Sequence, residues 1–457
     1  MIRPLNFPEA LGANASAFDR YGKPRALRIT LLCSPHESAS TTEQAAVSLL
    51  RELSHLEDVD SADTEHGTAA HLTIGEYDNV REFLPVELKR TDSVTRWGIH
   101  GVEYWGRRLA ALEQTGEGVS ASTALFPVLP YLEAHLQGRR DLLVTTNPAL
   151  IASASQFPKA NIVTAADGCK IVGLYLRLMR NWVFSRGGGT REALDRHGFY
   201  WTLTRHRTPS MWRYMGACLM ASRPNREEIA YLGNTVLVRL HRALQARDEI
   251  GFQFYQPQGN STRELMLYHF DYLLMLLVGA LDAQARIAHR VYQLTSQERR
   301  ASFIDGGFRV QLESAGADGL SAEVSSDRFC AFREVLWSLR GTIHGAANWP
   351  LGVHEPGGLQ RSLCRIGSRA NEIWTAACLL GAPADLGIER LIDVEFEPYT
   401  CACALTNEAL KYVDKIALET DVIRLFDAGS PVPDLPAGPP EKDEFRLAVR
   451  QRVDLLG

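Results

Sequence analysis

The chain has 457 residues, of which 45% are hydrophobic and 23% charged, and its formal net charge is −5. These values are typical of a globular protein and exclude wholesale disorder or a fibrous repeat. The length is too great for one ordinary core and predicts two main domains. A net negative chain does not coat nucleic acid unselectively, so any nucleic-acid surface is expected to be local.

The sequence lacks the patterns of a membrane span, a secretion signal or a zinc site. Its longest apolar stretch, residues 272–281, is bounded by Asp271 and Asp282 and is far shorter than the ~20 residues that cross a bilayer. The N-terminus shows no charged segment followed by an apolar one, so we expect a cytoplasmic protein. The eight cysteines show no paired zinc spacing, and we expect no metal and no cofactor.

The first 180 residues alternate between strand and helix patterns. Short apolar runs predict the strands, and a capping box from Ser40 to Glu43 opens the first helix. Repeated βα units predict a mainly parallel sheet. The predicted strands are 27–33, 141–146 and 161–164, and the predicted helices begin near Ser40, Pro148 and Ala166.

The rest of the chain shows helical patterns without a convincing strand. A connector with a glycine run at 187–189 precedes them, and a proline-rich tether at 431–440 follows them. We therefore predict an α+β multidomain protein whose C-terminal domain is an all-α bundle. The predicted units are an α/β domain (1–180), a basic connector (181–225), a helical domain (226–430) and the tether with a terminal arm (431–457). The predicted helices are 227–248, 263–294, 327–347 and 407–426, of which the second is apolar nearly all round and should be central.

The segment LRGTIHG holds the side chains best suited to chemistry, Arg340 and His344. Residues four apart share one face of a helix, so the two are expected to lie together. An imidazole can take a proton from a 2′-hydroxyl and return one to a leaving oxygen. A guanidinium can hold two phosphate oxygens and stabilise the charge of the transition state. The pair therefore predicts RNA cleavage without a metal.

The same spacing occurs at Arg96 and His100, so spacing alone does not identify a site. The alternative for any such pair is a surface arginine and a hydrogen-bonded histidine that take no part in chemistry.

The context of Arg340 and His344 is a long buried helix, then a loop, then a helix that ends in the pair. Residues 225–350 resemble in this respect the HEPN superfamily of ribonucleases and defence proteins, whose late helix carries an Arg-polar-x-x-x-His signature. The resemblance implies a homodimer in which both signatures line one cleft, and Arg340 and His344 as catalytic residues. Gly341 stands where the family has a polar residue, and three residues separate the pair instead of four to six.

The N-terminal part resembles, more faintly, the PIN-like fold of metal-dependent ribonucleases, through the segments 138–156 and 161–178. These enzymes hold Mg²⁺ or Mn²⁺ with about four carboxylates. Asp141 matches one acidic position, whereas Asn147 stands at a second, and Cys33 and Ser34 stand at the first. An amide and a thiol cannot supply that charge. The resemblance therefore implies a degenerate domain used for sensing, binding or dimerisation.

The connector is strongly basic. Residues 177–226 contain ten arginines against two acidic residues, with aromatic residues between them. Arginine binds phosphates and aromatic rings stack on unpaired bases, so this mixture suits single-stranded RNA. The alternative is a solvated basic face packed on the acidic segment 52–87, with the aromatic side chains in the core. The candidate contacts are Arg177, Arg180, Arg186, Arg205, Arg207, Arg213, Trp201 and Trp212.

Three functions are compatible with these patterns. The first is a homodimeric endoribonuclease of a toxin or antiphage kind, acting on single-stranded or tRNA-like RNA and controlled by an antitoxin or a sensor. The second is an inactive nucleic-acid-binding or scaffold protein, which predicts salt-sensitive RNA binding without cleavage. The third is a nucleotide-activated effector similar to CARF-HEPN proteins. None of the three involves a membrane.

Overall fold

The computed structural model describes residues 5, 17–18, 25–33, 40–63, 84–89, 94–99, 128–185, 191–193, 195–221, 226–345, 347–354, 360–427 and 434–435. Within these ranges the layout is α+β, with thirteen α-helices and twelve strands. Ser34, Arg186, the glycine run at 187–189 and nearly all of the predicted tether and arm lie outside the described residues. The domain boundaries at 180, 225 and 430 remain predictions.

The N-terminal part is built on a six-stranded sheet. The strands β2, β1, β5 and β6 pair in parallel in that order, and β3 and β4 extend the β2 edge as antiparallel strands. The prediction of a mainly parallel sheet is confirmed. In chain order the elements are β1 (Leu27–Leu32), α1 (Thr41–Leu53), β2 (Val59–Asp63), β3 (Leu84–Lys89), β4 (Val94–Ile99), α2 (Leu129–Gln137), β5 (Leu142–Thr145), α3 (Pro148–Ala152), β6 (Ile162–Thr164) and α4 (Ala165–Leu178).

Helices cover both faces of this sheet, which explains why nearly every residue of β1 and β5 is buried. On one face, Ile29 and Val144 pack with α1 and α4 in a buried cluster that continues into the helical part of the chain. On the other face, Leu143 packs with Leu132 of α2 in a second cluster. The Ser40 hydroxyl accepts a hydrogen bond from the Glu43 N–H at 3.2 Å, as the capping box predicts.

The helical part of the chain shares one buried apolar cluster with the sheet. Helices α7 and α8 are antiparallel neighbours, with Glu228 against Arg290 at one end of the pair and Arg239 against Gly279 further along. The elements are β7 (Val183–Ser185), β8 (Arg191–Ala193), α5 (Arg196–Arg207), α6 (Met211–Met220), α7 (Arg226–Phe254), α8 (Asn260–Val291), α9 (Gly306–Ser314), α10 (Asp318–Ser325), α11 (Asp327–Gly341), β9 (Trp349–His354), β10 (Gln360–Arg365), α12 (Ala370–Leu380), β11 (Ile388–Arg390), β12 (Val394–Phe396) and α13 (Pro398–Glu419).

Helix α8 is the central helix of the bundle, as predicted. By length and composition it could cross a membrane, but more than half of its most apolar window is buried inside the fold. It packs against α7, α11 and α13, and Phe270, Leu277 and Leu281 are fully buried. This burial is what the core helix of a soluble bundle shows.

The prediction that the C-terminal part is all-α is wrong. A four-stranded sheet in the order β11-β12-β10-β9 lies within it, and all three pairings are antiparallel. Pro350 and Gly352 lie inside β9, and both residue types are unfavourable in strands. Because β9 is an edge strand, a proline that cannot donate a hydrogen bond is tolerated there. These two residues hide the strand from a pattern search.

Several predicted helix ends are also wrong. Helix α11 ends at Gly341, not at 347, and α13 begins at Pro398, well before the predicted 407. Pro398 suits the first turn of a helix, where its missing N–H is not needed, and the Glu397 carboxylate accepts hydrogen bonds from the N–H groups of Tyr399 and Thr400. The connector contains α5 and α6.

A buried carboxylate, Asp248, joins the sheet region to the helices. It lies on α7 and is 1% exposed. Arg177 of α4 donates to it at 2.6 Å, the Tyr200 hydroxyl of α5 donates at 2.7 Å, and Arg247 donates at 3.0 Å. Burial by itself raises the pKa of Asp248, but the charges of Arg177 and Arg247 and the Tyr200 hydrogen bond outweigh it, and the pKa is lowered. Three helices thus share one ionised carboxylate.

We predict that Asp248→Asn is strongly destabilising, because it leaves two buried guanidinium groups without their counter-charge. The expected loss in the free energy of unfolding, measured by urea denaturation, is about 3 kcal/mol. The control is Glu249→Gln, since Glu249 pairs with the exposed Arg196 at 3.3 Å and is expected to contribute less than about 1 kcal/mol. Equal losses in the two variants would contradict the structural role of Asp248.

Candidate functional site

Arg340 and His344 lie on either side of Gly341, the last residue of α11. Arg340 is half-buried in the last turn of the helix, and His344 is exposed in the turn that follows. The N–H groups of Ile343 and His344 donate to the carbonyls of Arg340 and Gly341, each at 3.2 Å. The helix thus stops before His344, which lies in the turn that follows it. The two side chains are one turn apart at the same end of α11.

The turn that carries His344 is braced from two sides. The Thr342 hydroxyl donates to the Leu339 carbonyl at 2.6 Å and accepts from the Asn348 amide at 2.9 Å. The Asn348 side chain also accepts from the Gly367 N–H at 3.2 Å. These bonds connect the end of α11 to the segment that follows β10. The His344 backbone is thus held between a helix and a sheet, while the imidazole stays exposed.

Arg340 belongs to a cluster of three arginines around one carboxylate. Asp282 of α8 accepts a hydrogen bond from the Ser302 hydroxyl at 3.0 Å. Burial raises the pKa of Asp282, and the Ser302 hydrogen bond and the charges of Arg286, Arg239 and Arg340 oppose this rise. We call Arg239, Arg286 and Arg340 the arginine cluster. Three cations and one acid from α7, α8 and α11 make this surface locally basic in an acidic chain.

Gly279 allows Arg239 to join the cluster. The Arg239 guanidinium crosses α8 at this residue and donates to the Gly279 carbonyl. A Cβ atom at position 279 would lie 3.0 Å from the Arg239 Cζ atom, closer than real contacts allow without movement. Burial, together with the charge of Arg286, lowers the pKa of Arg239. The glycine therefore brings a second guanidinium into the neighbourhood of Arg286.

The cluster is available to an anion. Among the described residues, Arg286, Arg340 and His344 form no side-chain hydrogen bond and no ion pair. Arg286 and His344 are exposed. Sequence patterns assign no role to Asp282 or Arg286 and do not single out Arg239. The local sequence feature that accompanies the contact of Arg239 with α8 is Gly279, a glycine inside an apolar helix.

The candidate contacts of the connector do not form one surface. Arg177 is buried on Asp248, whereas Arg180 and Arg213 are exposed. The Arg207 guanidinium donates to the Asn407 side chain at 2.8 Å. The connector therefore divides between a core contact and scattered exposed cations.

Arg205 is stacked inside the connector. Its Cζ atom lies 3.4 Å from the ring centre of Trp212 and 5.8 Å from that of Trp201. Buried Phe199 and Tyr214 are other aromatic residues of the segment. These rings have partners within the fold, which agrees with the part of the alternative that places aromatic side chains in the core.

Asp141 and Asn147 lie at opposite ends of β5. Asp141 is fully buried and accepts hydrogen bonds from the Arg25 guanidinium at 2.7 and 2.8 Å and from the Arg28 N–H at 2.8 Å. Asn147 caps α3 by accepting from the Leu150 N–H at 3.0 Å. Both side chains have structural partners. In the described part of the chain no three His, Cys, Asp or Glu side chains are grouped to hold a metal ion.

Comparison with known proteins adds no relative. No protein-family model, no curated protein and no solved structure matches the chain.

We predict that Asp282→Asn increases the anion affinity of the arginine cluster, because it removes the one carboxylate placed among the three cations. Inorganic phosphate should then raise the melting temperature of this variant more than that of the original protein. The control is Asp271→Asn on the same helix, where burial alone raises the pKa of the carboxyl group. Equal phosphate effects in all three proteins would contradict an anion site.

Proposed function

We propose that the chain is a metal-independent endoribonuclease of a toxin or antiphage-defence kind that acts at Arg340 and His344. The observation that carries the proposal is the arginine cluster, together with an exposed histidine on the braced turn that follows Arg340. Guanidinium groups suit a phosphodiester, and no metal is needed to stabilise its charge. The position after a long central helix supports the resemblance to HEPN ribonucleases, which remains part of the proposal.

The proposed reaction is attack within the RNA strand. One His344 takes the proton of a 2′-hydroxyl, and the 2′-oxygen forms a bond to phosphorus. The bond from phosphorus to the 5′-oxygen then breaks, and an imidazolium returns a proton to that oxygen. The products are a 2′,3′-cyclic phosphate and a 5′-hydroxyl. Arg340 and the exposed Arg286 would stabilise the additional charge on the phosphoryl oxygens.

A homodimer would supply the second imidazole. His344 of the partner subunit can then serve as the acid while the first acts as the base. The exposed side chains of Tyr268, Tyr272 and Met275 form a stripe on α8, and the same helix face continues to Asp282 one heptad beyond Met275. A second copy packed on this stripe would lie next to the arginine cluster. We therefore propose α8 as the dimer interface.

We also propose a substrate, a role for the N-terminal part and a cellular location. The substrate would be single-stranded or tRNA-like RNA, with exposed Arg180 and Arg213 as outer phosphate contacts. The N-terminal sheet region would be a degenerate PIN-like domain that binds an antitoxin or a sensor signal, and the protein would act in the cytoplasm. The third candidate function, a nucleotide-activated effector similar to CARF-HEPN proteins, would cleave RNA with the same pair, Arg340 and His344.

An inactive RNA-binding protein is the second candidate. His344 lies outside the helix that carries Arg340, and Gly341 supplies no polar group next to Arg340. Both facts fit a site that binds phosphate without cleaving it. This candidate shares the arginine cluster with the first and differs only in the role of His344.

We predict that His344→Ala reduces the rate of RNA cleavage in EDTA by about 100-fold or more, since general acid–base catalysis contributes about that factor. The measurement is the cleavage rate of a single-stranded RNA with excess protein. The control is His55→Ala, an exposed histidine of the N-terminal part, which should cleave at the original rate.

The same assay separates the two candidates. RNA binding that persists in His344→Ala, together with lost cleavage, supports the ribonuclease. Cleavage that survives the substitution removes His344 from the mechanism. An original protein that binds RNA but never cleaves it supports the inactive candidate.

A further inference from the structure

A large cavity lies between the sheet region and the helices, away from the arginine cluster. Its volume is about 800 Å³, and it is lined on one side by β6 and the first half of α4 and on the other by α7 and α13. The carboxyl ends of parallel strands are the usual place for ligands in sheets of this kind. A volume of this order holds a small molecule with several rings or phosphates.

The lining of the cavity is basic. It contains Lys170, Arg177, Arg207 and Arg247 against the acidic Asp167 and Asp385. Asp167 lies 3.6 Å from Lys170, and the Asp248 carboxylate behind the wall binds both Arg177 and Arg247. When Asp248 is counted, four cations face three carboxylates, so this part of the lining carries one net positive charge. The cavity is therefore suited to an anion.

Two guanidinium groups of the cavity lining are almost completely buried. Arg177 is 4% exposed and Arg247 is 3% exposed. Because both are fixed by Asp248, they are held in place before any ligand arrives. The exposed side chains of Asp167 and Lys170 line the same space, so the cavity is open to solvent on that side.

The cavity also offers flat rings and neutral hydrogen-bonding groups. Tyr255 and Tyr399 line it with their ring centres 5.9 Å apart. Burial raises the pKa of both phenols, so they remain neutral at physiological pH. Thr164 and Asn407 add a hydroxyl and an amide to the lining. A ligand that suits this lining carries both phosphate and a ring with hydrogen-bonding atoms.

We infer that this cavity is a binding site for a nucleotide. The inference goes beyond the proposed ribonuclease and does not depend on it, because the cavity shares no residue with the arginine cluster. Arg247 of the cavity and Arg239 of the arginine cluster lie on the same helix, α7. This helix therefore reaches both the cavity and the cluster.

The test is the binding of ATP to the full chain, measured by isothermal titration calorimetry. Inorganic phosphate and adenosine serve as the two half-ligands. ATP should bind more tightly than either, since only ATP carries both phosphates for the guanidinium groups and a ring for the tyrosines. Failure of ATP to bind, or equal affinity for ATP and for one half-ligand, would overturn the inference. RNA cleavage is not measured, so this result is independent of the ribonuclease proposal.

Two variants locate the site, and both keep the buried ion pairs. Arg207→Gln removes a half-buried cation of the lining and should weaken ATP binding about tenfold, the value of one charged hydrogen bond. Ala404→Trp fills the cavity from α13 and should abolish binding. The control Arg300→Gln removes an exposed cation that does not line the cavity and should leave binding unchanged. Unchanged ATP affinity in both lining variants would place the ligand elsewhere.

Discussion

The buried carboxylate of Asp248 is the interaction on which the arrangement of the molecule depends. It binds Arg177 of α4, Tyr200 of α5 and its neighbour Arg247. Apolar contacts alone would allow the sheet region and the bundle to slide, because such contacts have no direction. A buried charge must instead meet its partners at fixed distances. The network therefore sets how α4 and α5 lie on α7, and with them the walls of the cavity.

The position of α7 in turn determines the second polar feature of the molecule. Arg239 reaches across α8 at Gly279, and this crossing is possible because the two helices are close and antiparallel. Helix α11 then brings Arg340 to the same carboxylate, Asp282. The arginine cluster is thus a product of tertiary packing, assembled from residues that are up to about a hundred positions apart.

Local patterns predicted those parts of the fold that local forces determine. The strands around Ile29 and Val144, the cap at Ser40 and the central helix α8 follow from apolar periodicity and capping. The sheet from β9 to β12 was missed because Pro350 and Gly352 interrupt its first strand. The predicted helix 227–248 is too short, because α7 continues to Phe254. Asp248 is buried within it, and its distant partners Arg177 and Tyr200 explain why a charge is tolerated there. The predicted helix to residue 347 is too long, and His344 therefore lies in a turn.

The chemistry of the cleaved ends tests the central claim, an attack by the RNA 2′-hydroxyl, most directly. A single-stranded RNA is incubated with the protein in EDTA, and its new ends are identified by mass spectrometry. The ribonuclease proposal predicts 2′,3′-cyclic phosphate and 5′-hydroxyl ends, and no cleavage when the RNA carries 2′-O-methyl groups. Cleavage of the methylated RNA, or ends with 5′-phosphate, would contradict the proposal.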